Sequence, residues 1–327
     1  MSHFSRTLCR IVYLAAALAA LAPARAATPM LETNLDRPLR YTPEGTDFVI
    51  TNGQEFFNRP LYTNTAFRVD GGDKPEFALY LPGRGGNLRI GIVNATGASK
   101  WLNDAAQVVT RYRPGSLIYE ISDPFLGDGG KLTLTAMVLP VGQGLIVRVE
   151  PANTAPVTLV WAYGGANGQS LNRGGDIGEG QSVSREFQLQ PSACGGDQIT
   201  INGSSNSFWL QYASGNATAP TSTSILGLAP PGSKLAIGDA NQWNAPDNLL
   251  ASVGAATNTP VLVGQVPLTA GTPVYLALQR NPQPGETAPV DPTYQEITGE
   301  GPQSAGTPTT LLTYADLPKT FDAAEAR

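Results

Sequence analysis

Histidine and cysteine are almost missing from this 327-residue chain: the only histidine is His3, and the two cysteines are Cys9 and Cys194. Once the first residues are set aside, a Ser-His-Asp or Cys-His constellation, a histidine general base and a histidine-ligated metal centre are excluded. An intramolecular disulfide is excluded with them. Charge is scarce too, at 14% of residues, while the 41% hydrophobic share is that of a globular protein. Long apolar runs are also lacking. The longest, from Ile11 to Leu21, is about 11 residues, against the roughly 20 that a membrane-spanning helix needs, so no membrane insertion is expected.

That short run has its own reading. Arg6 and Arg10 precede it and Ala24-Arg25-Ala26 follows it, the pattern of a secretory signal with its small-residue cleavage site. Cleavage between Ala26 and Ala27 predicts a secreted or periplasmic protein. Loss of Arg6, Arg10 and Arg25 from the 21 basic side chains leaves 18 against 26 acidic ones, a net charge of −8. Such a balance opposes a nucleic-acid grip, which needs clustered Lys and Arg against phosphate. Cys194, in the turn-like Ser192-Ala193-Cys194-Gly195-Gly196, is expected to be a semi-buried small side chain.

What the chain has in quantity is turn residues, 36 Gly and 27 Pro. They leave little room for long helices and punctuate segments with the two-residue period of half-buried strands. Phe77, Leu79 and Leu81 alternate in this way, as do Leu88, Ile90 and Ile92, then Leu132, Leu134, Ala136 and Val138, then Leu145, Val147 and Val149. Further strands are predicted over 46–51, 64–70, 106–112, 116–122, 156–163, 182–190, 197–202, 206–213, 233–238, 260–266 and 272–280. The fold class is therefore all-β, a large antiparallel two-sheet β-sandwich with a short C-terminal helical segment. The chain divides into a signal peptide (1–26), a β-sandwich domain (27–280), a Pro/Gly-rich linker (281–313) and the start of a helix (314–327). Nothing else in the sequence is evident to cover that helix's apolar face. It is expected to begin a helical region of a longer protein.

Particular runs carry a likeness to a known family: Phe57-Asn58-Arg59-Pro60-Leu61-Tyr62, Asn64-Thr65-Ala66-Phe67-Arg68, Gly71-Gly72-Asp73-Lys74-Pro75-Glu76-Phe77 and Gly85-Gly86-Asn87-Leu88-Arg89. Ile121-Ser122-Asp123-Pro124 and the closing Tyr314-Ala315-Asp316-Leu317-Pro318 continue it, and it is densest over residues 37–93. The chain resembles the domain of unknown function numbered 4450, the N-terminal region of large secreted proteins similar to six-hairpin glycosidases. The resemblance implies a β-supersandwich of galactose-mutarotase-like form, followed in those proteins by an (α/α)6 toroid that carries the catalytic acids. It implies carbohydrate as ligand and a helical catalytic domain, of the same or a longer chain, as partner. The toroid is absent from this sequence, so the chain itself is expected to be non-catalytic, without cofactor or metal. A stand-alone carbohydrate-binding or scaffolding module is the alternative; a complete small enzyme using Asp, Glu, Arg or Tyr is a third reading.

The candidate ligand-binding residues are Arg59, Arg68, Asp73, Glu76, Arg84 and Arg89, a charged block among glycines and aromatics with the composition of a functional loop, together with Trp101 and Trp243. Guanidinium forks pair with hydroxyls or a uronic carboxylate, although interstrand Arg-carboxylate pairs that pin turns would give the same composition. Asp73 and Glu76 flank Pro75 in an extended or turn stretch, which does not require their carboxylates to face one another. Trp101 and Trp243 have Asn neighbours and suit a sugar platform, whereas Trp161 and Trp209 lie in apolar strands and suit a core. Gly83-Arg84-Gly85-Gly86-Asn87 leads into a strand and so reads as a hairpin turn rather than a phosphate loop. Asp123 and Asp128 lack EF-hand spacing.

Overall fold

The computed structural model describes residues 39–63, 65, 67–80, 85–165, 187–213, 224–282 and 309–327. Two compact units divide at Thr42, Met1–Thr42 and Pro43–Arg327. Of the first, only residues 39–42 are described, and the signal peptide expected over 1–26 lies outside the described residues, as does Arg84.

Among the described residues the chain is a succession of antiparallel strands: β1 (Thr42–Glu44), β2 (Asp47–Thr51), β3 (Arg59–Tyr62), β4 (Arg68–Gly71), β5 (Glu76–Tyr80), β6 (Asn87–Asn94), β7 (Ser99–Trp101), β8 (Gln107–Arg113) and β9 (Ser116–Ser122). There follow β10 (Lys131–Val138), β11 (Gln143–Ala152), β12 (Val157–Gly164), β13 (Gln198–Asn202), β14 (Ser207–Gln211), β15 (Ser224–Leu228), β16 (Lys234–Asp239), β17 (Pro260–Pro267) and β18 (Val274–Arg280). Two short helices complete the list, α1 (Pro246–Ala251) and α2 (Leu317–Glu325). The strands form a 10-stranded sheet, β1-β2-β8-β9-β10-β11-β18-β15-β14-β13, and an 8-stranded sheet, β16-β17-β12-β6-β5-β4-β3, in which β7 pairs with β6.

Strand periodicity explains how the two sheets meet. Phe77 and Leu79 of β5, Leu88, Ile90 and Ile92 of β6, and Leu159 and Trp161 of β12 point the same way and pack with Leu117, Tyr119, Leu134 and Val147 of the larger sheet in one core. Apolar burial between two sheet faces is the main favourable contribution to such a sandwich. The expected all-β, two-sheet architecture is what the structure has.

Several local expectations need correction. The charged block at residues 59–89 is not a loop, since its described residues lie largely on β3, β4, β5 and β6. Residues 187–190 carry no strand and lead into a single 3-10 turn at Pro191–Cys194, while 182–186 fall outside the described residues. Helix α2 forms as expected, but its apolar side is covered by this chain: Leu317 and Phe321 are fully buried against Met137, Ile146, Leu226 and Ala277 on the outer face of the larger sheet. The Arg148 guanidinium sits 4.1 Å from the Phe321 ring centroid, and Thr313 and Asp316 cap the turn before the helix reciprocally. Residues 309–312, at the end of the expected linker, are tied to β18 through Gln279, whose Nε2 donates to Thr310 O at 3.0 Å and whose Oε1 accepts from Leu312 N at 2.9 Å.

Candidate functional site

The outer face of the smaller sheet carries the chemistry. Residues out of phase with the core positions point to it: Arg68 and Asp70 of β4, Glu76, Ala78 and Tyr80 of β5, Asn87 and Arg89 of β6, and Val160 and Ala162 of β12. Cross-strand register brings Glu76 opposite Arg89 and Arg68 opposite Tyr80. This face is covered rather than wet. Leu189, Cys194, Ala240, Trp243 and Leu249 pack with Val160, Ala162, Val261 and Val263, and Phe187 packs on Ala78 and Tyr80.

Beneath that cover lies a polar and aromatic cluster. Arg89 Nε is 2.7 Å from Glu76 Oε2, and the same oxygen accepts from Asn103 Nδ2 at 2.7 Å. Arg89 Nη1 donates to the Trp243 carbonyl at 3.3 Å, which also accepts from Trp101 Nε1 at 3.0 Å. The guanidinium carbon stands 5.7 Å from the Trp101 ring centroid and 5.3 Å from that of Trp243, and the two indoles lie 6.2 Å apart. Both are cation–π distances. Gly91, opposite Trp101 on β6, makes room for the indole: a Cβ there would come within 2.8 Å of the ring. Asn103 arrives on the 3-10 turn Leu102–Asp104 that follows β7, and its carbonyl accepts from Lys74 Nζ at 2.9 Å.

A second cluster lies further along the same face. Arg68 Nε donates to both oxygens of Asp70, at 3.1 and 2.9 Å, and its guanidinium lies 4.5 Å from the Tyr80 ring centroid and 5.5 Å from that of Phe187. Burial pushes the Asp70 carboxyl up to about 6, with Arg68 opposing the shift. Asn87 Nδ2 donates to the Phe187 carbonyl at 2.7 Å and anchors the covering segment.

Four of the sequence candidates, Glu76, Arg89, Trp101 and Trp243, therefore meet in one cluster, and Arg68 belongs to the neighbouring one. Asp73 does not join them. It is fully buried, its Oδ2 accepts from Glu55 N at 3.0 Å and its own N–H donates to Glu55 O at 2.8 Å, so that it ties the 53–57 segment to the β4–β5 turn. Arg59 lies apart on β3, its guanidinium 5.8 Å from the Tyr112 ring centroid. The open sugar platform expected of Trp101 and Trp243 is not what forms, because they are only 1% and 2% exposed. Trp161 is buried in the main core as expected, whereas Trp209 is only half-buried. Asp70, Tyr80, Asn87 and Asn103 escaped the sequence reading. For the three on strands the available signal was phase, since each falls on the same alternating face as Glu76 or Arg89.

Among the described residues Glu76 and Asp70, the carboxylates of β5 and β4 on this face, are each bonded to a guanidinium, which fixes their geometry. Among the described residues no group of three His, Cys, Asp or Glu side chains is placed to hold a metal ion. Asp123 is instead occupied structurally, accepting from Lys100 Nζ, Ala106 N and Phe125 N at 2.9 Å each. No described helix is long and apolar enough to cross a membrane.

Comparison with known proteins gives a family and little else. No curated protein matches in sequence. A crystal structure of a bacterial glucoamylase complexed with acarbose is similar at 10% identity and a TM-score of 0.45, over 87% of this chain and 38% of that one. The chain thus spans well under half the length of that protein. The family described as Domain of unknown function (DUF4450) matches residues 81–300, which includes only the last part of the 37–93 stretch where the likeness looked densest. With most of the chain inside that match, the protein belongs to the DUF4450 family.

Proposed function

We propose that the chain is a non-catalytic β-sandwich of a secreted, glycoside-hydrolase-like protein acting in polysaccharide metabolism, and that it packs against and shapes the sugar site of a helical (α/α)6 catalytic domain. Carbohydrate is its ligand class, and it works outside the cytoplasm after cleavage between Ala26 and Ala27. The observation that carries the non-catalytic part is the pairing of Glu76 with Arg89 at 2.7 Å and of Asp70 with Arg68 at 2.9 Å. Glycosidic cleavage needs two carboxyl groups facing a shared substrate, roughly 5 to 10 Å apart, one to protonate and one to attack or activate water. On this face the acids are neutralised singly. The carbohydrate part is supported by the family and by the sequence's likeness to regions that precede glycosidase toroids.

The test uses residues 27–327 produced by secretion, assayed against a panel of soluble polysaccharides by affinity electrophoresis and for release of reducing ends. Retardation on at least one glycan without new reducing ends is expected. Steady release of reducing ends, abolished by Glu76→Gln or Asp70→Asn, would assign the chemistry to this chain. The stand-alone module is the second reading, and one observation favours it: α2 spends its apolar side on the sandwich, while the exposed large apolar residues among those described are Phe48, Tyr62, Val141 and Leu311. A surface awaiting a toroid is expected to show a contiguous patch of several hundred Å².

A further inference from the structure

Three buried atoms of the Arg89 cluster have no hydrogen-bond partner among the protein's own groups: Glu76 Oε1, Asn103 Oδ1 and Trp243 Nε1. Their side chains belong to residues at most 7% exposed, where an unpaired polar atom is costly and calls for a partner. The first two are neighbours through their other bonds, and the third belongs to a ring that flanks the same guanidinium. Glu76 Oε2 accepts from Asn103 Nδ2, so Oε1 and Oδ1 are separated by no more than one carboxylate, one hydrogen bond and one amide. The Trp243 indole lies against the guanidinium that holds Glu76. The orientation of Asn103 follows from its partner, because only the NH2 group can face a carboxylate oxygen, which leaves the amide oxygen as the unmet acceptor.

The inventory is two acceptors and one donor. Its complement offers two O–H hydrogens and one accepting lone pair. A carboxylate or phosphate would set acceptor against acceptor. An ammonium group would give Trp243 Nε1–H nothing to bond, and a metal ion would stand beside the positive charge of Arg89. Water meets the pattern, and so do two adjacent hydroxyls of a sugar. We propose that Glu76, Asn103 and Trp243 form a buried hydroxyl-binding site that takes an ordered water or the vicinal diol of a sugar. The site bridges β5, the turn after β7 and the segment at Trp243. Its diol form rests on the carbohydrate reading above, and its water form does not.

Crystals of residues 27–327 grown without polyols, and the same crystals soaked in glucose or galactose, separate the two sources. In the first, an oxygen within hydrogen-bond distance of Glu76 Oε1 and at least one of the other two atoms is expected. Its replacement in the second by two sugar oxygens identifies the diol, whereas an unchanged water identifies water and leaves the polysaccharide assay to judge the carbohydrate reading by itself. Trp243→Phe keeps the ring and removes the donor; the oxygen should then lose at least half its occupancy while the Glu76–Arg89 pair stays in place. Absence of an oxygen from both crystals, or full occupancy in the variant, overturns the proposal.

Discussion

Glu76 and Arg89 show how a single pair can hold a buried face together. Their side chains are 1% and 8% exposed, so removing either partner strands a charge away from water. Arg89→Ala is expected to cost about 3–5 kcal/mol of unfolding free energy, read from urea denaturation. A loss under about 1 kcal/mol would place the pair in effective contact with water, where ion pairs contribute little. Asp197 poses the opposite case. Burial raises its carboxyl from 3.8 to about 6, opposed only by the Ala213 N–H that it accepts at 3.0 Å. The folded state therefore binds a proton more tightly than the unfolded chain does. Its contribution to stability is complete below about pH 3.8 and is lost as pH rises through about 6. Asp197→Asn should flatten that fall, gaining roughly 1–3 kcal/mol at pH 7 relative to the parent's change over the same window; denaturation at pH 4 and pH 7 measures it, and an unchanged slope refutes it. Cys194 is fully buried and burial pushes its thiol up, so a disulfide-exchange reagent should label it only in denaturant.

At the scale of elements, the two sides of each sheet were not equally legible. Strands that face the main core on one side and water on the other show alternation, and β9, the first half of β10 and the second half of β11 follow it closely enough to be read from sequence. β5 does not alternate in burial, since all five of its residues are buried. Its outward Glu76, Ala78 and Tyr80 look like solvent positions in sequence, and what covers them, Phe187 and the segments around Asn103 and Trp243, lies far away along the chain. That distance hid the cover and made Trp101 and Trp243 look like surface residues. The charge of Arg59 on β3, with Pro60 beside it, likewise obscured a strand at the sheet edge, where proline is tolerated. The helix α2 was legible as a helix but not as packed, because its site is assembled from β10, β11, β15 and β18 together. Phe321→Ala should release it selectively. Amides of 317–325 should lose exchange protection at least tenfold while those of β10 and β11 keep theirs, as expected of a separate local unfolding unit. Simultaneous loss across the sheet would mean that the helix is integral to the sandwich.

For the molecule as a whole, the order of strands in space sets which parts are indispensable. β18 lies between β11 and β15 in the larger sheet, although it is the last strand in sequence among those described. Its ladder with β11 runs from Gln143↔Arg280 to Val149↔Val274, and its ladder with β15 from Ile225↔Arg280 to Leu228↔Ala277. Until β18 is in place, β13, β14 and β15 have no hydrogen-bonded connection to the rest of their sheet, and two strand edges stand open to other chains. Leu276 and Leu278 meanwhile belong to the main core. Truncation before β18, after Gly271, should therefore abolish cooperative folding and send the protein into aggregates, despite leaving every other strand intact. Truncation after Thr313 removes α2 and the 3-10 turn Tyr314–Asp316 before it and should leave a soluble sandwich with the parent's β-sheet circular dichroism and a modestly lower melting temperature. If instead the protein cut at Gly271 stays soluble and melts cooperatively, β13 to β15 must hold to the rest through the smaller sheet. The strand order would then overstate how far one central strand unites the larger sheet.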